Sequence, residues 1–251
     1  MKKNNDFTIV IPARFGSTRL PGKVLSDLNG KTLLERVYDK AVLANPKQII
    51  IATDHKEVFD VASKFCNLVV LTPESLNSGT ERIASVVEQL NLAPDEIIVN
   101  VQGDEPFINP DFIKLVADNL AKETKADITT LAHYIEDDVE NHVHNPNTVK
   151  VVLDKNNFAL YFSRAPIAYS KDYSYKYLRH IGLYCYRSGF VKKYISSAKA
   201  DIELSESLEQ LRALWHGFKI HVGIVEKANN IFLDINTKED LDKVRAHFNL
   251  L

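Results

Sequence analysis

Three cations and two glycines fall within Pro12-Ala13-Arg14-Phe15-Gly16-Ser17-Thr18-Arg19-Leu20-Pro21-Gly22-Lys23, directly behind the apolar run Phe7 to Ile11. Glycines let a backbone approach a phosphate closely, and Arg14, Arg19 and Lys23 can supply charge-assisted hydrogen bonds to its oxygens. A triphosphate suits this loop best, although three cations on a solvated turn would read the same way. The spacing is not that of a nucleotide-binding P-loop: five residues separate Gly16 from Gly22-Lys23 instead of four, and Val24 stands where the magnesium-binding hydroxyl belongs. The glycine fingerprint of dinucleotide binding is also missing from this first turn, which disfavours hydride transfer.

Carboxylates follow a second apolar run. Ile97-Ile98-Val99-Asn100-Val101 leads into Gln102-Gly103-Asp104-Glu105-Pro106, so Asp104 is delivered to the end of a buried strand. There it could hold a magnesium ion bridging phosphate oxygens, because magnesium favours one or two carboxylates completed by phosphate and water. A turn that uses aspartate and proline for its own geometry has the same residues. Asp234, in Ile231-Phe232-Leu233-Asp234-Ile235-Asn236-Thr237, is a second acid behind an apolar run, and on the residues alone it reads more readily as a helix-start acid. His142 and His144 lie in a polar stretch with no third ligand at useful spacing and carry little metal signal.

The elements that position these groups are short β-rich runs separated by helical periodicity. Strands are expected over Phe7 to Ile11, Gln48 to Thr53, Leu68 to Leu71 and Ile97 to Val101. Helical spacing recurs in Leu33, Leu34, Val37, Ala41 and Val42, in Val58, Val61, Ala62 and Phe65, and in Ile83, Val86, Val87 and Leu90. This alternation predicts an α/β fold, a mostly parallel Rossmann-like sheet flanked by helices, with chemistry in the loops where strands end. The second half, with strands expected over Val149 to Asp154, Ala159 to Arg164, His180 to Arg187 and Lys219 to Val225, reads as a smaller, more antiparallel lobe. Helices are expected at Ser188 to Ser197, at Leu204 to Trp215 with Leu204, Leu208, Leu211 and Trp215 buried, and from about Thr237. Alternation over His180 to Tyr186 puts His180, Gly182, Tyr184 and Tyr186 on one face and Ile181, Leu183 and Cys185 on the other. The polar and aromatic face suits a hydroxyl-rich ligand, with Arg164 of a neighbouring strand available to a carboxylate; a half-exposed strand with aromatics at a dimer contact is the plainer account, and it is preferred for Tyr186.

Composition removes other classes. Lysine and arginine number 31 against 33 acids, a net charge of -2 without a polybasic run, so nucleic acid is not an expected partner. No stretch reaches the roughly 18 apolar residues of a membrane span, and the apolar run behind the N-terminus is too short for a signal peptide, so a cytoplasmic location is expected. Cys66 and Cys185 are isolated, which argues against a disulfide framework or a structural zinc site.

In order along nearly the whole chain, Ile11-Pro12-Ala13-Arg14, Ser17-Thr18-Arg19-Leu20-Pro21-Gly22-Lys23, Ala52-Thr53-Asp54-His55, Ser78-Gly79-Thr80-Glu81-Arg82, Val99 to Pro106, Asn145-Pro146-Asn147, Ala159 to Ala165, Arg179-His180-Ile181-Gly182 and Leu208-Glu209-Gln210-Leu211-Arg212 resemble the 3-deoxy-manno-octulosonate (KDO) cytidylyltransferases, the CMP-KDO synthetases. The resemblance implies transfer of CMP from CTP to KDO for lipopolysaccharide biosynthesis, with Mg2+ as cofactor, by a homodimer. It divides the single domain into a CTP-binding part (1–125), a sugar-binding and dimerisation part (126–226) and a C-terminal segment returning to the main lobe (227–251). It also implies residue roles. Lys23, Arg19 and Asp104 would be catalytic, and Asp104 and Asp234 would ligate the metal. Ala13, Arg14, Ser17, Ser78, Gly79, Arg82 and Gln102 would contact the nucleotide, and Arg164, His180, Tyr184, Glu209 and Gln210 the sugar acid. A cytidylyltransferase for 8-amino-KDO or sialic acid, and a non-catalytic nucleotide-binding regulator, are the alternatives.

Overall fold

The computed structural model describes residues 6–16, 20–226 and 238–248. Ser17, Arg19 and Asp234 therefore lie outside the described residues. The first half alternates as expected: β1 (Phe7–Pro12), α1 (Leu33–Leu43), β2 (Gln48–Thr53), α2 (Lys56–Ala62), β3 (Val69–Leu71), α3 (Gly79–Gln89) and β4 (Ile97–Asn100). β1 is buried on both faces, as a central parallel strand should be, and pairs in parallel with β2 and β4. The chain steps outward from β1 to β2 and β3, then crosses back to β4 on the other side of β1. The carboxyl ends of β1 and β4 thus face each other at the point where the winding reverses, the usual location of a ligand crevice in such sheets.

Apolar runs alone assign no element between Pro106 and Val149, but the chain forms α4 (Pro110–Lys122), β5 (Ile128–Tyr134) and α5 (Val139–His144) there. β5 interrupts its apolar pattern with threonines that are buried because they are bonded: Thr129 Oγ1 donates to the Val116 carbonyl at 2.7 Å, and Thr130 Oγ1 lies 2.8 Å from the Leu183 carbonyl. His142 and His144 sit in the short α5 instead of a polar loop, and His144 Nε2 bonds the Tyr173 hydroxyl at 2.9 Å.

The remaining elements are the hairpin β6 (Lys150–Leu153) and β7 (Ala159–Ser163), then β8 (Leu178–Arg187), α6 (Ser188–Ser196), α7 (Asp201–Glu206), α8 (Gln210–Trp215), β9 (Ile220–Val225) and α9 (Lys238–Phe248). All nine strands among the described residues join one sheet, ordered β3-β2-β1-β4-β8-β5-β9 with the hairpin attached to β8. The pairings β4–β8, β5–β8, β6–β7 and β6–β8 are antiparallel, which matches the expected character of the second half. β8 shares one edge between two partners: its start pairs with β6 and its end with β4.

Ile9, Ile11, Leu34, Val99, Leu183 and Cys185 build the core on one face of the sheet; Val10, Ile83, Val87, Ile98, Phe162 and Leu211 build the other. The expected alternation of β8 holds, with Ile181, Leu183 and Cys185 in the first core and Tyr186 in the second. β8 is interior to the sheet and Tyr186 is buried, so it is not the half-exposed strand preferred for that tyrosine. The single helix expected over Leu204 to Trp215 is two. Ser207, at φ 51°, ends α7 in the left-handed region, and α8 restarts three residues later. Leu208 and Leu211 remain buried, whereas Leu204 and Trp215 are exposed.

Candidate active site

The loop leaving β1 is closed on itself by its backbone. Ala13 extends the β1–β2 ladder, donating to the Ala52 carbonyl at 2.8 Å, and the Gly22 amide donates to the Phe15 carbonyl at 2.9 Å. Gly22 has φ 68°, a conformation that glycine adopts without strain, and it leads directly into the 3-10 turn Lys23–Leu25. The loop leaving β4 is pressed against it: a Cβ on Gly103 would stand 2.7 Å from the Pro12 carbonyl oxygen, so only glycine permits this approach. Lys23 and Asp104 meet as a result, with Nζ 2.5 Å from Oδ2.

A buried ion pair fixes the other wall. Arg82, from α3, is 1% exposed; its guanidinium donates to Asp54 Oδ2 at 2.8 Å and also bonds Thr72 Oγ1. Burial lowers the Arg82 pKa, and the Asp54 carboxylate opposes that shift. Asp54 Oδ1 accepts the Phe15 amide at 3.0 Å, so one carboxylate ties the β1 loop to α3. Ser78 caps α3 by accepting the Glu81 amide at 3.1 Å, and Gly79 follows against the Pro12 ring.

Arg14, Lys23, Ser78, Gly79, Arg82, Gln102, Asp104 and Glu209 line one polar cavity of about 260 Å³. Gly79, Gln102 and Glu209 also border a second, aromatic cavity of about 270 Å³, which adds Asn100, Tyr184, Tyr186, Phe190, Tyr194 and Gln210. Glu209 stands between the two, its carboxylate 3.2 Å from Thr80 Oγ1; burial raises its pKa, against the Thr80 hydrogen bond and the charge of Arg212. The aromatic wall is braced from behind. Arg212 grips Glu203 with Nε–Oε2 at 2.8 Å and lies 4.7 Å from the Tyr194 ring centre, and the Tyr194 hydroxyl donates to the Glu209 carbonyl at 2.9 Å.

Two expected sugar-acid residues line neither cavity. Arg164 is clamped by carbonyls: Nε donates to Glu206 at 2.8 Å, one terminal nitrogen to Pro146 at 2.8 Å and the other to Ser207 at 3.3 Å. His180 bonds Thr130 Oγ1 through Nε2 at 2.9 Å and packs against the rings of Phe162 and Tyr184; burial pushes its pKa down to about 3, so the ring stays neutral. Beneath them, the fully buried Lys150 ammonium donates to the carbonyls of Thr148 and Arg164, both at 2.6 Å, and burial lowers its pKa to about 8.

Sequence reasoning missed the roles of Asp54, Thr80 and Asn100. Asp54 follows β2 as Asp104 follows β4, so strand-end position could have found it, and Asn100 shares the Ile98 face of β4 that opposes Tyr184 and Tyr186. Among the described residues no three His, Cys, Asp or Glu side chains gather as a metal cage. Asp104 at a cation-lined cavity still fits magnesium, which takes much of its shell from substrate phosphates and water.

Comparison with known proteins agrees with this geometry. A cytidylyltransferase family model matches residues 8–220. The 3-deoxy-manno-octulosonate cytidylyltransferase of Glaesserella parasuis is 46% identical over 98% of this chain and 98% of its own length, and that of Haemophilus influenzae is 47% identical over 96% and 97%. A solved structure of CMP:2-keto-3-deoxy-manno-octonic acid synthetase complexed with CTP superposes with a TM-score of 0.88 at 35% identity, covering 97% of this chain and 99% of its own. With the matched segment running from β1 to the start of β9 and so including both cavities, the chain belongs to the cytidylyltransferase family.

Proposed function

We propose that the protein transfers CMP from CTP to the anomeric hydroxyl of 3-deoxy-D-manno-octulosonate, releasing pyrophosphate. The observation that carries this is the junction of two unlike cavities at Gly79, Gln102 and Glu209: one lined by Arg14, Lys23 and Asp104, the other by aromatic and amide side chains. The first suits a polyphosphate and the second a hydroxylated acceptor, placed side by side for an in-line displacement. The C2 hydroxyl oxygen bonds to the α-phosphorus as the bridging bond to the β-phosphorus breaks. Pyrophosphate leaves with that electron pair, and the hydroxyl proton passes to water.

Arg14 and Lys23 hold the charge that builds on pyrophosphate, joined in our reading by Arg19. Ser78, Gly79 and Gln102 border the nucleotide, and Glu209 and Gln210 position the acceptor. In this reading Asp104, with Asp234, holds magnesium, which supplies charge neutralisation at the phosphate oxygens and makes the hydroxyl more acidic. We further read the enzyme as a cytoplasmic homodimer whose product serves lipopolysaccharide biosynthesis; the acceptor for which its relatives are named supports the last of these. No helix among the described residues is long and apolar enough to cross a membrane. The test is pyrophosphate release with four nucleoside triphosphates crossed with KDO, 8-amino-KDO and sialic acid, with and without magnesium. Release only with CTP, KDO and magnesium is expected; release driven better by another acid would move the assignment to that acceptor.

A further inference from the structure

The aromatic cavity contains three buried polar atoms that complete no hydrogen bond of ordinary geometry with the protein, Asn100 Oδ1, the Tyr186 hydroxyl oxygen and Gln210 Nε2, and the Asn100 side chain lies close enough to the Tyr186 hydroxyl to favour its ionised form. Their residues are 3%, 3% and 7% exposed. An unpaired polar atom removed from water is costly, so its retention in a core calls for something that completes it. Here the three converge on one space. Register pairs Asn100 with Tyr184 and Ile98 with Tyr186, which sets Asn100 and Tyr186 diagonally on the same face of the sheet, while Gln210 comes from α8.

The chemistry of the three atoms narrows the ligand. An amide oxygen accepts, an amide nitrogen donates, and a phenol does both, a set that matches a hydroxyl group, which also donates and accepts. The lining of this cavity includes no lysine or arginine and one glutamate, Glu209, so it does not suit a carboxylate or a phosphate. Asn100 and Tyr186 border only the aromatic cavity, whereas Lys23 and Asp104 border only the polar one. A group touching Asn100 and Tyr186 therefore belongs to the part of the acceptor that points away from the displacement.

We propose that Asn100 and Tyr186 are specificity-determining residues that read a neutral hydroxyl of the acceptor remote from its reacting anomeric carbon. The inference rests on the cytidylyl-transfer reading above. A site built around such a hydroxyl discriminates strongly against an analogue that lacks it, because the protein atoms are then left unpaired.

The experiment measures kcat and KM for KDO and for its 4-, 5-, 7- and 8-deoxy analogues with wild type, Tyr186→Phe and Asn100→Ala, alongside KM for CTP and the melting temperature. For wild type, one deoxy analogue should fall in kcat/KM by at least about tenfold. Tyr186→Phe should lower kcat/KM for KDO by about 10- to 100-fold, leave KM for CTP within about twofold, and use that same analogue no worse than it uses KDO. Asn100→Ala should lose discrimination at the same position. Equal losses with every analogue, or no loss at all, would overturn the inference. Equal use of all four analogues by wild type would overturn it too, even if neither variant folds. Failure of wild type to turn over KDO would instead remove the reading on which it stands.

Discussion

Lys23 Nζ and Asp104 Oδ2 lie 2.5 Å apart across the mouth of the polar cavity, with the carboxylate side chain 25% exposed. In the proposed reaction a polyphosphate would compete for the ammonium and a divalent cation for the carboxylate, so the pair is expected to separate when both arrive. Asp104→Asn should lower pyrophosphate release by at least about 1000-fold while costing about 1 kcal/mol of stability. Parallel turnover and urea-unfolding measurements check this, and near-normal turnover would sink the role given to Asp104.

Asp54→Asn should behave in the opposite way, unsettling the fold before the chemistry. It leaves the Arg82 guanidinium, whose side chain is 2% exposed, without its counter-charge. Removing one member of a buried pair costs about 3–5 kcal/mol, and replacing both Asp54 and Arg82 by apolar residues should recover part of that loss. Urea denaturation of the single and double variants measures it; a shift below about 0.5 kcal/mol in the single variant would show that Arg82 does not depend on Asp54.

Glu206 links the β6–β7 hairpin to the turn that carries Glu209 and Gln210. Its carboxylate accepts the Ser163 hydroxyl at 2.5 Å and the Arg164 amide at 2.8 Å. Glu206→Ala should raise KM for the sugar acid several-fold with KM for CTP nearly unchanged, and cost about 1–3 kcal/mol of stability. A loss shared equally by both substrates would show that the turn does not act on the acceptor side alone.

His180 makes stability depend on pH. Its folded pKa of about 3 lies below the ordinary value of 6.5, so the unfolded chain binds the extra proton between those values. The contribution is full above about pH 6.5 and is lost as pH falls toward 3, with a slope of up to about 1.4 kcal/mol per pH unit. The stability difference between wild type and His180→Asn, followed by chemical denaturation from pH 8 to 4, should be flat above 6.5 and move against wild type below it. A difference that stays constant throughout would show that the ring titrates normally in the folded chain.

Most of the parallel half was legible because β1, β2 and β4 are buried on both faces and must be continuous apolar runs. β5 was hidden by Thr129, Thr130 and His133, and the burial of the two threonines depends on partners distant in sequence. The α7–α8 break was hidden for a related reason: Ser207 carries no local signal for the left-handed region, and periodicity runs through it. At the site, Arg14, Lys23, Gln102 and Asp104 were readable from strand-end position. Arg14 and Arg82 both line the polar cavity, and what sets Arg82 apart, its service as a strut on Asp54, follows from burial and not from residue type. The same holds for Arg164, whose guanidinium donors are taken by the carbonyls of Pro146, Glu206 and Ser207.

β8 is hydrogen-bonded at its start to the hairpin and at its end to the strand that delivers Asp104. β8, whose Tyr184 and Tyr186 line the aromatic cavity, is therefore laced directly to the strand that runs into the polar one, and the two cannot part about a hinge without tearing that ladder. A rearrangement of the turns above the sheet leaves that lacing intact, so the spacing between the two cavities is set by the ladder itself.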